Sequence, residues 1–82
     1  MKLLMFTIRD SAVEEYMKPF FARSNGEAMR MFVNDAKSAE SMLNQNPEHF
    51  SLWSIVEFDG STGKVEPCAV ECLAKCVDVM EL

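Results

Sequence analysis

The 82-residue sequence has no apolar run near the roughly 18 to 20 residues that span a bilayer, so no membrane partner is expected. Its opening, Met-Lys-Leu-Leu-Met-Phe-Thr-Ile-Arg-Asp, reaches charge after too few apolar residues for a signal peptide. Cysteine is scarce as well. The three thiols, Cys68, Cys72 and Cys76, are odd in number and crowded together, which excludes the dispersed, even framework of a stapled secreted domain. A reducing cytosol is the expected compartment.

Histidine occurs once, at His49, far from the cysteines, whereas a structural zinc needs four ligands in a tetrahedron. The thiols therefore read as small packing residues and His49 as a loop residue, with no metal and no cofactor. The three glycines, Gly26, Gly60 and Gly63, form no phosphate-cradling loop, and no serine sits in a nucleophile elbow. Adjacent acids such as Glu14-Glu15, or Glu57 and Asp59, read as solvated surface charge. The sequence thus reads as a binding protein and not an enzyme.

Basic charge is scarce in one half only. Residues 1–37 hold six basic residues against five acids, while residues 38–82 hold Lys64 and Lys75 against eight acids. The total of −5 argues against a phosphate ligand, yet any anion site is expected in the first half. There, Tyr16, Lys18, Phe20, Phe21, Arg23 and Arg30 interleave rings with cations, a composition suited to single strands. The competing reading assigns Phe20 and Phe21, like the seven methionines, to the core.

What is present suits one domain over 1–82, since a chain this short supports one core. Hydrophobic residues make up 49% and charged residues 26%, a globular composition. Lys2 to Arg9 alternates as a strand, and Glu14 to Ala22 is a second extended piece at an edge because of Pro19. Ser24-Asn25-Gly26-Glu27 is a capping box, followed by the apolar stripe Ala28, Met29, Phe32, Val33 and Ala36. Ser38 to Asn46 adds a broken helical turn with Met42 and Leu43 inward, and Asn46 caps the turn that starts at Pro47.

Ser51 to Asp59 is a strand apolar on both sides, with Leu52, Val56 and Phe58 on one and Trp53 and Ile55 on the other. A hairpin over 59–63 returns through Lys64 to Pro67, and residues 68–81 take helical spacing. The expected class is α+β: an antiparallel sheet of three to four strands, ββαββ, with one main helix on a face and a C-terminal helix. Trp53 and Ile55 would remain uncovered, so self-association is expected, a homodimer being its simplest form; the alternative is that the Cys-rich tail covers them.

Pro19-Phe20-Phe21-Ala22-Arg23, Gly26-Glu27-Ala28, Asn46-Pro47-Glu48, and Phe58-Asp59 with Thr62-Gly63 together resemble the small nonstructural protein of gokushovirus-type microviruses, single-stranded DNA phages. The resemblance covers about residues 2 to 67 and leaves out the Cys-rich end. It implies a phage protein of the host bacterial cytoplasm, of a kind labelled DNA-binding or likened to the microvirus protein that turns replication toward single-stranded genome production and packaging. It carries over no site residues. Lys18, Arg23, Arg30 and Tyr16 are the expected nucleic-acid contacts, with Arg23 and Arg30 near a helix N-terminus that favours anions. A host or phage protein is the alternative partner to single-stranded DNA.

Overall fold

The computed structural model describes residues 2 to 81, without the side chains of residues 68 and 69. Five strands form one antiparallel sheet: β1 (Lys2–Asp10), β2 (Glu15–Tyr16), β3 (Phe20–Ala22), β4 (Phe50–Asp59) and β5 (Val65–Lys75). The short β2 and β3 lie along one side of β1, β4 along its other side, and β5 beyond β4. Helices α1 (Asn25–Lys37), α2 (Met42–Gln45) and α3 (Cys76–Val79), with a 3-10 turn over Pro47–His49, accompany this sheet.

Helix α1 starts at the capping box. The Ser24 hydroxyl accepts from the Glu27 amide at 3.1 Å, and the Glu27 carboxylate accepts from the amide of Arg23 at 3.2 Å. The return bond thus reaches one residue further back than the expected amide of Ser24. Ala28, Phe32 and Ala36 are buried against the sheet, and together with Phe6, Ala22, Leu43, Phe50, Leu52, Cys76 and Val79 they make the core. Two small residues flanking Phe32 along the stripe let the helix approach closely while one ring fills the gap.

The expected architecture is overturned. The sheet dominates, with five strands in place of three to four beside one main helix, and the strand expected to end at Pro67 runs on to Lys75, through residues 68–75 that were expected to be helical. Only Cys76–Val79 are helical at that end. The cause lies in β4, which pairs with β1 on one side and β5 on the other and is interior to the sheet, so its partner must run its whole length. A spacing of four fits the even period of a strand as well as a helical turn, so the cysteine pattern did not discriminate between them. The thiols also part company: Cys72 is exposed, Cys76 is buried, and the Cys68 side chain lies outside those described.

A bulge in β4 corrects a second expectation. The β1 register steps from Met5↔Val56 to Phe6↔Ser54, leaving Ile55 as an extra residue. Beyond that bulge the alternation reverses. Leu52 faces the helix as expected, but Val56 and Phe58 join Trp53 on the opposite face. Met42, expected inward, is 57% exposed, and its neighbour Leu43 alone enters the core. Ser41 caps α2 through its hydroxyl, whereas Asn46 makes no side-chain cap bond. Among the described residues no helix is long and apolar enough to cross a membrane.

Candidate functional site

The helices pack on one face of the sheet, and the strand registers define what lies on the other. One row crosses four strands: Tyr16 pairs with Arg9, Arg9 with Ser51, and Ser51 with Lys75. The next row places Thr7 beside Trp53 and Trp53 beside Cys72. The indole and the phenol ring meet edge to face, centroids 6.1 Å apart at 85°, and the Arg9 guanidinium carbon lies 5.8 Å from the Tyr16 centroid. Trp53 Nε1 donates to Ser51 Oγ at 2.8 Å, which fixes the indole.

Toward the far end of the strands this open face becomes wholly apolar. Leu3, Met5, Phe21, Val56, Phe58 and Val65 occupy its paired positions, with Phe21 and Phe58 edge to face at 6.4 Å. Between the two ends lies a cleft of about 350 Å³, lined by Thr7, Tyr16, Met17, Pro19, Ile55 and Val70. Thr7, 2% exposed, donates from its hydroxyl to the Met17 carbonyl at 2.7 Å and ties the β2–β3 connection over the sheet.

Charge is segregated by face. The six strand carboxylates with register partners, those of Asp10, Glu15, Glu57, Asp59, Glu66 and Glu71, all fall on the helix side. The paired positions of the open face carry two cations, Arg9 and Lys75, and no carboxylate. Glu48 stands only at the rim of that end, beside His49 at 3.6 Å. The strand carboxylates thus lie across the sheet from Arg9 and Lys75.

Elsewhere, perturbed groups have structural causes. The Asp59 carboxyl is held below its usual value by the Ser61 amide in the hairpin, and the Lys2 ammonium is held above its usual value by hydrogen bonding to Glu57 at 3.0 Å. Burial pushes the Cys76 thiol up, with Asp35 adding to it. Among the described residues no three His, Cys, Asp or Glu side chains cluster as metal ligands.

Of the residues expected to touch nucleic acid, Tyr16 lies on the open face. Lys18 follows in the β2–β3 connection, between the cleft residues Met17 and Pro19. Arg23 and Arg30 belong to the helix layer instead. Arg23 is 79% exposed, with Glu27 at 3.9 Å, and that carboxylate already occupies the helix N-terminus; Arg30 is exposed away from the buried stripe. Trp53 and Ile55, expected at a self-association surface, lie on the open face with Tyr16. Arg9 and Lys75, the cations of the open face, were not among the expected contacts. Arg9 follows Thr7 by two residues, so strand alternation alone would place it there, whereas Lys75 emerges only once β5 is known.

A family model described as Phage ORF5 protein matches residues 3–79. The chain belongs to this phage protein family. The match takes in all five strands of the sheet bar the first residue of β1, and it includes the Cys-rich end that the resemblance to microvirus proteins left out. No curated protein and no solved structure shows significant similarity to the chain.

Proposed function

We propose that this phage protein is a nonenzymatic accessory of genome replication or packaging that binds single-stranded DNA on the open face of its sheet. Its setting would be the cytoplasm of a host bacterium, and the phage a microvirus of the gokushovirus type. The observation that carries the reading is the row Tyr16–Arg9–Ser51–Lys75 with Trp53 beside it, on a face whose paired positions hold no carboxylate. Bases that stack on a ring face gain about 1 to 3 kcal/mol each, while two cations follow the phosphates. A sheet face with an exposed Tyr16 ring and a half-buried Trp53 ring favours splayed single strands over a duplex, whose bases are already stacked. Lys18, beside the cleft, supplies a third cation along the same path.

The alternative is a module that recruits or modulates a host or phage protein, favoured by the apolar end of the same face. Fluorescence anisotropy of a labelled thymidine oligomer at low salt separates the two. The DNA reading expects saturable binding, weaker for a duplex of the same length, and lost in the Arg9→Glu, Lys75→Glu double variant. No anisotropy change at the lowest salt would leave the protein-interaction reading.

A further inference from the structure

The cleft of the open face opens where the sheet is irregular. Against β1 the register of β4 steps from Val56 to Ser54, and against β5 the same two residues pair with Pro67 and Glu71, so three residues of β5 stand opposite Ile55. Bulges re-aim side chains and recur beside binding sites. Ile55 and Val70, from the two irregular stretches, line the cleft together with Thr7, Tyr16 and Met17. Its volume of about 350 Å³ lies at the lower end of the range of about 300 to 1,000 Å³ for small-ligand sites, the scale of one nucleoside.

What adjoins the cleft separates a nucleotide from other apolar ligands. Tyr16 lines the cleft, and its ring meets that of Trp53 at 6.1 Å. Trp53 in turn lines a second hollow, of about 280 Å³, with Arg9, Ser51 and Lys75, where Glu48 is the one acid. An apolar recess beside a cationic one fits a ligand that joins an apolar ring to an anion. A purely apolar partner leaves the second recess unused.

We propose that the cleft seats one thymine of the bound strand, so that the protein prefers thymine-rich single-stranded DNA, an inference that rests on the reading of the open face as a DNA surface. Thymine is the DNA base that carries a methyl group, and the one without an exocyclic amino group. The cleft rewards the first and penalises the second. Its walls are almost wholly apolar, so a methyl group entering beside Ile55 and Val70 leaves water. The polar side-chain atoms of the lining are the hydroxyls of Tyr16 and Thr7, and Thr7 already donates to the Met17 carbonyl at 2.7 Å. The two hydrogens of an amino group find few acceptors there, and an unpaired buried donor weakens binding.

Equal-length oligomers of thymidine, deoxyuridine and deoxycytidine, titrated by fluorescence anisotropy at matched salt, carry the same phosphates and differ at the base. Thymidine should bind about fourfold tighter than deoxyuridine, the effect of one buried methyl group. Deoxycytidine should bind more weakly than deoxyuridine, and all three should share one salt slope. Val70→Asn, at a 55% exposed position of the edge strand β5, should bring the thymidine-to-deoxyuridine ratio toward one and leave that slope unchanged. Three oligomers bound alike would overturn the thymine seat and leave the DNA surface standing, as would a thymidine preference that Val70→Asn does not reduce. No binding of any oligomer at the lowest salt would remove both. Amide shift differences between the thymidine-bound and deoxyuridine-bound protein should be largest at Thr7, Met17, Ile55 and Val70. Differences centred on Trp53 and Lys75 would place the base in the other hollow and refute the seat.

Discussion

Two phenylalanines on opposite sides of one sheet allow the layer arrangement to be measured as a difference. Phe32 of α1 is 1% exposed and packs among Phe6, Leu52 and the core alanines, whereas Phe21 of β3 is 47% exposed on the open face. Truncating Phe32 to alanine removes fully buried apolar surface and leaves a cavity enclosed by helix and sheet, which costs about 3 to 5 kcal/mol. Truncating Phe21 removes the same atoms, but half their surface is already wet and solvent fills the space. Only a part of the transfer term remains, about 1 kcal/mol. An 82-residue domain has roughly 4 to 12 kcal/mol in all, so Phe32→Ala should leave the fold near its threshold. Urea denaturation followed by circular dichroism gives both values. Equal losses at the two positions would refute the one-sided core. So would a Phe21→Ala loss above about 3 kcal/mol, which belongs to a fully buried ring.

Ser24→Ala should cost about 1 kcal/mol by removing the acceptor of the Glu27 amide, a shift of about 4 to 8 °C in melting temperature. Thiol labelling should distinguish Cys72, exposed on β5, which reacts rapidly in the native protein, from Cys76, which reacts only on unfolding. Because burial raises the Cys76 thiol from 9.0, the neutral form is favoured in the fold; stability should be complete below the unfolded value and fall as pH rises above it. Cys76→Ala should abolish that alkaline loss while lowering stability at neutral pH through lost packing, and a chemical melt at several pH values reads both.

Helix α1 was legible because its signals are local: a capping box and a buried stripe four residues apart, Ala28, Phe32 and Ala36. The alternation of β1 and the two-sided apolar character of β4 were legible for the same reason. The bulge at Ile55 was not, since it arises from the fit between two strands and leaves no mark on the spacing of either. Its consequence was large: it turned Val56 and Phe58 to the face that alternation assigned away from them. Residues 68–75 take helical spacing yet form a strand, in part because helical and strand periods coincide at four residues, and the pairing partner decides between them. The candidate site illustrates both cases. Tyr16 and Trp53 drew attention by type, but the row that joins Tyr16 to Arg9 and Lys75 exists only through strand register. Arg23 and Arg30, prominent beside the helix start, stand in another layer.

Trp53, the one tryptophan of the chain, lies within the open face and would report the proposed binding of single-stranded DNA there. Titrating the protein with a thymidine oligomer while following indole fluorescence, at several salt concentrations, tests it directly. Saturable quenching is expected, its log affinity falling with log salt at a slope of about −1.4 to −2.1, for two or three phosphates at 0.7 each. Arg9→Glu with Lys75→Glu should abolish it, and Arg23→Glu with Arg30→Glu should leave it nearly unchanged. Fluorescence unmoved by DNA at the lowest salt, or binding lost through the helix pair and not through Arg9 and Lys75, would rule out DNA binding on this face.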